Sequence, residues 1–164
     1  MNVQIKNKEK GFTIIEVVLV LAIAGLIFLM VFIALPALQR GQRDTQRRDD
    51  ASRFISQLQS YSTNNKAKVP ASAAELVSFK TNYLKWVADG VNGASTGEYN
   101  DPKTGKAYVI TFAIAPASPV DGTIYYSNNA TCNGETMAAV TNQPRLAAVA
   151  IKLEGSGIFC QTNK

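Results

Sequence analysis

A chain of 164 residues with a net charge of +5 and no histidine suits one modest domain beside any targeting segment. The missing imidazole removes the commonest general base and the commonest metal ligand, so histidine-dependent hydrolysis and histidine metal centres are excluded. A mild positive balance does not by itself call for nucleic acid, because solvated surfaces carry it as readily.

Met1 to Lys10 is polar, holds Lys6, Lys8 and Lys10, and has no apolar periodicity, as the basic head of a targeting segment does. Val17 to Leu35 follows as 19 residues without a charge. At about 1.5 Å per residue this run reaches roughly 28 Å, close to the ~30 Å hydrocarbon core of a bilayer. It is longer than an ordinary signal-peptide core and no small-x-small cleavage site follows it, so an uncleaved anchor is expected. Glu16 stands at its leading edge, where a carboxylate costs about 2.5–3.5 kcal/mol on insertion scales. Either Glu16 reaches back to the headgroups, or a cation supplied by a partner neutralises it. The nearest such cation is an α-amino group made by cutting after Gly11, on this chain or on a neighbouring copy. A glycine there lets a protease approach the backbone closely.

The residues Lys8-Glu9-Lys10-Gly11-Phe12-Thr13-Ile14-Ile15-Glu16, leading into Val17 to Gly25, resemble the class III signal of type IV pilins and pseudopilins. The resemblance implies cleavage between Gly11 and Phe12 by a prepilin peptidase, N-methylation of Phe12, and pairing of Glu16 with the N-terminus of a neighbouring subunit during assembly. It also implies a single-pass precursor in the cytoplasmic membrane with its N-terminus inside, and an extracellular filament after processing. The charges do not orient the run: three lysines precede it, but Arg40, Arg43, Arg47 and Arg48 follow it. The N-in orientation therefore comes from the resemblance alone. Pro36 lacks an N–H and leaves the Phe32 carbonyl without a helical partner. That is either a tolerated kink or, as the resemblance implies, one end of a segment from Gly25 to Pro36 that is helical in the membrane and extends in the filament.

Ala51, Phe54, Ile55, Leu58 and Tyr61 form an apolar stripe at helical spacing, with Leu38 further back. Gln39 to Asp50 is almost wholly polar. It reads as a solvated helix face, as a lipid-headgroup contact, or as charge pairing between subunits, with Arg47 and Arg48 meeting Asp49 or Asp50 of another copy. Asn64-Asn65 and then Pro70 end this helix. Ser72-Ala73-Ala74-Glu75 is a capping box that starts a second helix over about Ala73 to Ala88, with Leu76, Phe79, Tyr83, Trp86 and Val87 facing inward and Asp89-Gly90 breaking it.

Asn92 to Lys106 is turn chemistry. An Asp101-Pro102-x-x-Gly105 turn with Asp89, Glu98 and Asp121 offers oxygens to calcium or is an ordinary turn; its spacing matches no calcium loop, and no metal is assigned. Strands are expected over Ala107–Ala115, Thr123–Ser127, Leu146–Leu153 and Gly157–Gln161, the last two joined by a Glu154-Gly155-Ser156-Gly157 turn. Strands at hairpin spacing after a helix predict an α+β fold, a long N-terminal helix packed on a small antiparallel sheet, as in pilin globular domains. With that domain outside the cell, Cys132 and Cys160 are expected to pair, as the resemblance also implies.

The organisation expected is a leader over 1–11, a hydrophobic membrane and assembly helix over 12–38, its amphipathic half over 39–65, and a globular domain over 66–164. No nucleophile elbow, phosphate loop or metal cluster is apparent, so neither an enzyme nor a cofactor is expected. Lys80, Lys85 and Trp86 are the weak candidates for nucleic-acid contact, against solvated lysines beside a core tryptophan, and no specific nucleic acid is assigned. The expected function is a structural subunit of a type IV pilus-like filament. Its partners would be further copies of itself, the prepilin peptidase, the membrane and its assembly platform, and minor pilins. The alternatives are a pseudopilin of a secretion or DNA-uptake machine, and a single-pass anchored binding domain that never polymerises.

Overall fold

A computed structural model describes residues 11–86, 99–155 and 157–164. Helix α1 runs Ile14–Asn64 and is continuous through Gly25 and Pro36. The chain divides into two units, Met1–Gln39 and Arg40–Lys164.

In the first unit, Thr13 starts α1: its carbonyl accepts from the Glu16 and Val17 N–H groups at 3.1 and 3.3 Å. The span that follows has a mean hydropathy of 3.2 over its best 18 residues, none of which is buried. Large side chains from Phe12 to Leu38 stand open, with Ile14 86% exposed.

In the second unit, α1 packs with a short helix α2, Ala73–Asn82, and a four-stranded sheet. The strands are β1 Val109–Phe112, β2 Thr123–Asn128, β3 Ala130–Asn133, β4 Thr136–Ala139, β5 Ala147–Lys152 and β6 Ile158–Thr162. The main sheet has the order β1-β2-β5-β6, and β3 and β4 form a separate hairpin. One sheet face, with Ile124, Tyr126, Val149 and Ile151, packs on Phe54 and Leu58 of α1 and Phe79 of α2. Phe54 and Phe79 meet edge to face at 5.2 Å. The other face, with Tyr125, Ala148 and Ala150, packs on Ala130 and Met137 of the hairpin. β5 is thus covered on both sides, which is why Ala147–Ile151 is apolar without alternation.

Four of the expected strands are present, with ends shifted by one to three residues, and the architecture is the α+β one expected. Three features differ in detail. First, β1 and β2 run parallel, because the Pro116 and Pro119 connection carries the chain back along β1. Second, the β3–β4 hairpin was not anticipated, although Asn133-Gly134 is a hairpin signal. Gly134 takes φ +60 at its tip, where a side chain is disfavoured. Third, α2 stops at Asn82. Tyr83 caps it, Lys85 adopts a left-handed φ of 50°, and the Trp86 N–H closes on the Lys80 carbonyl. Leu84 is fully buried and Trp86 packs half-buried against the core, with Lys80 4.3 Å over its ring. Val87, Asp89, Gly90, Asn92 and Glu98 lie outside the described residues.

Candidate functional sites

The start of α1 combines a donor set with an acid. Thr13-Ile14-Ile15-Glu16 has the pattern of a capping box, and the Glu16 N–H lies 3.4 Å from the Thr13 hydroxyl. Glu16 therefore also sits in the first turn, where the helix dipole favours a negative charge. That signal was legible in the sequence and was missed. Phe12, Glu16, Val17, Val20 and Leu21 line a shallow, almost wholly apolar cleft of about 280 Å³. Among the described residues no ion pair is made by Glu16, and a neighbouring positive group would satisfy a carboxylate on such an apolar surface.

The polar half of α1 in the second unit is solvated at Gln42, Thr45, Gln46, Arg48 and Asp49, but one stripe of it is buried. Asp44, Arg47 and Asp50 are buried at the same helical spacing as Ala51, Phe54 and Leu58. They continue the apolar stripe as a polar seam. The Arg47 Nε and Nη2 donate to Asp101 Oδ1 at 2.9 and 2.7 Å, and Nη1 donates to the Lys152 carbonyl at 2.9 Å. Arg43 grips Glu154 with two hydrogen bonds of 2.8 Å. The Asp44 carboxylate accepts the Glu154 and Gly155 N–H groups at 2.6 and 2.8 Å. A Cβ on Gly155 would come within 2.9 Å of Asp44, so only glycine allows this approach without a shift. Tyr108 donates to Asp50 at 3.1 Å. Arg47 is therefore engaged within its own chain, neither solvated nor left to pair with another copy, the two readings its sequence position offered.

Two carboxyls of this seam respond oppositely to acid. Burial raises the Asp50 pKa above its ordinary 3.8, against the Tyr108 hydrogen bond and the charge of Arg53. The hydrogen bonds from Arg43 hold Glu154 below its ordinary 4.5. A raised carboxyl contributes stability that is present below its unfolded pKa and lost as pH rises through the folded one; a depressed carboxyl does the reverse. Asp50→Asn is thus expected to stabilise the fold at neutral pH and to lose that advantage below pH 3.8. Glu154→Gln is expected to destabilise at neutral pH, with the deficit shrinking as pH falls below 4.5. Thermal unfolding from pH 7 to 3 checks both; parallel pH profiles for the two variants and the parent would refute them.

The remaining candidates resolve simply. Asp101 is paired with Arg47, and Asp121 with Lys103 at 2.9 Å and Lys152 at 3.5 Å. Cys132 in β3 and Cys160 in β6 form a disulfide with a Cα–Cα distance of 5.7 Å, tying the hairpin to the sheet. The 28-residue separation predicts roughly 3–4 kcal/mol from unfolded-chain entropy. Replacing both cysteines with serine is expected to lower Tm by on the order of 10 °C. Melting the pair variant beside the oxidised parent tests this, and coincident curves would count against it.

Residues 6–32 match the prokaryotic N-terminal methylation motif, the type IV pilin class III signal peptide. No curated protein and no solved structure is detectably similar to the chain. The motif and the apolar start of α1 support a type IV pilin-like or pseudopilin-like protein, and they fit a membrane anchor.

Proposed function

We propose that the chain is a prepilin: a structural subunit of a type IV pilus-like filament, cut between Gly11 and Phe12, N-methylated on Phe12, and assembled through its hydrophobic N-terminal helix. The observation that carries this reading is the methylation motif over residues 6–32, which leads into a helix whose apolar span no described residue buries. Outside a bilayer, a run with mean hydropathy 3.2 must be buried by other apolar surface, and identical helices supply it. Cleavage supports that step twice. It removes Lys6, Lys8 and Lys10 from the end of the packing surface, and it exposes an amine that can neutralise Glu16 of a neighbour.

In this reading the precursor waits in the cytoplasmic membrane with its N-terminus inside, meets the prepilin peptidase and the assembly platform there, and ends in an extracellular filament alongside minor pilins. Gly25 and Pro36 bound the part of the helix that extends on assembly, since Pro36 already withholds one backbone hydrogen bond. Intact mass of purified surface filaments tests the whole reading. A species lacking residues 1–11, with one added methyl and two hydrogens missing, is expected. Filaments retaining Met1 to Gly11 would overturn it.

A further inference from the structure

The seam does not use all the cations beside it. Arg40, Arg43, Lys103 and Lys152 line an open cleft of about 390 Å³ together with only two acids, Asp121 and Glu154. Glu154 is taken by both arms of Arg43. Asp121 is shared by Lys103 and Lys152, whose side chains remain 46% and 44% exposed. Arg40 is exposed and makes no ion pair among the described residues. Four cations on two carboxylates leave an excess of two positive charges, reachable from solvent, in one concave place.

The second observation is where this cleft lies along the chain. Arg40 follows Leu35, the end of the apolar run, by five positions. At about 1.5 Å per residue that is roughly 7.5 Å, and the headgroup layer on each side of a bilayer is about 5–8 Å thick. If Val17 to Leu35 spans the membrane, Arg40 comes at headgroup depth by its position along α1.

We propose that this cleft is a phosphate site, filled by the headgroup of an anionic phospholipid while the subunit is held in the membrane. Arginine and lysine both suit it: the guanidinium forks onto phosphate oxygens and the ammonium groups supply point charge. The site would hold the precursor at a fixed depth, and would have to be vacated when the subunit leaves for a filament. The proposal rests on the reading of residues 17–35 as a membrane span.

The test uses the full chain in nanodiscs of equal phosphatidylglycerol and phosphatidylcholine, released and weighed by native mass spectrometry. The parent is expected to retain one phosphatidylglycerol in preference to phosphatidylcholine. The exposed double variant Arg40→Gln/Lys103→Gln is expected to lose that retention by on the order of tenfold or more, and Lys164→Gln to keep it. Calorimetric titration of the detergent-solubilised chain with inorganic phosphate forms the second arm. Phosphate binding that the double variant loses, without any lipid preference, supports the site and makes its source soluble phosphate. No lipid preference together with no phosphate binding overturns the proposal. Carbonate extraction of the cell membranes in which the full chain is expressed separates the two levels: a chain that washes out refutes the membrane span and the lipid source, while the phosphate arm still decides the cleft.

Discussion

Arg47→Ala is expected to destabilise the Arg40–Lys164 unit by about 3–5 kcal/mol, the cost of leaving one partner of a buried ion pair alone. The guanidinium is 0% exposed and Asp101 is 1% exposed, so no water replaces the lost donors. Truncation leaves the Asp101 carboxylate without its cation, with only the Thr104 hydroxyl, among the described residues, still donating to it, and removes a donor from the Lys152 carbonyl. For a domain of this size that is a large share of total stability. Two comparisons give the prediction its edge. Arg48 is one residue away and exposed, and Arg48→Ala is expected to stay within about 0.5 kcal/mol. Arg47→Met combined with Asp101→Leu removes both charges, and is expected to recover most of the loss, because an apolar replacement carries no stranded charge. Denaturant unfolding of the full chain measures all three. Equal losses for Arg47→Ala and Arg48→Ala would show that the seam does not hold α1 to the sheet.

That seam marks the boundary of what the sequence could tell. The membrane-length run, Glu16 and the methylation motif are local, so a reader of ten or twenty consecutive residues meets them whole. The strands around Ile110, Ile124 and Val149 were legible for a similar reason: β-branched and aromatic residues cluster where a pleated surface needs them. Asp44, Arg47 and Asp50 were not, because a search for apolar periodicity stops at the first charged residue. Helical spacing does continue the stripe from Ala51 back to Asp44, but reading it as buried requires knowing the partners. Arg47 finds Asp101 54 residues away, and Asp44 finds Gly155 111 residues away. Those pairings are products of topology. The β3–β4 hairpin was missed differently. Its strands, Ala-Thr-Cys-Asn and Thr-Met-Ala-Ala, are short and only weakly β-forming, so the turn at Asn133-Gly134 was the single local cue.

Glu16 invites two physical explanations, and one pair of substitutions separates them. The residue stands in the first turn of α1, at the acid position of a capping-box pattern that Thr13 opens, where the helix dipole gives an acid a structural use worth about 0.3–1 kcal/mol. It also stands on an apolar cleft with Phe12, where a neighbour's free amine would meet it. Capping-box geometry accepts glutamine as well as glutamate. Charge neutralisation does not, since a carboxamide cannot pair with an ammonium group as an ion. Glu16→Gln and Glu16→Ala are therefore both expected to abolish surface filaments while the precursor accumulates in the membrane. Neither should hinder insertion, because removing the carboxylate relieves a cost of about 2.5–3.5 kcal/mol. Glu16→Asp, which keeps the charge on a shorter arm, is expected to restore filaments in part. Counting filaments by electron microscopy beside membrane-fraction immunoblots gives the readout. Normal piliation in Glu16→Gln would leave the acid with a helix to start and no neighbour to meet.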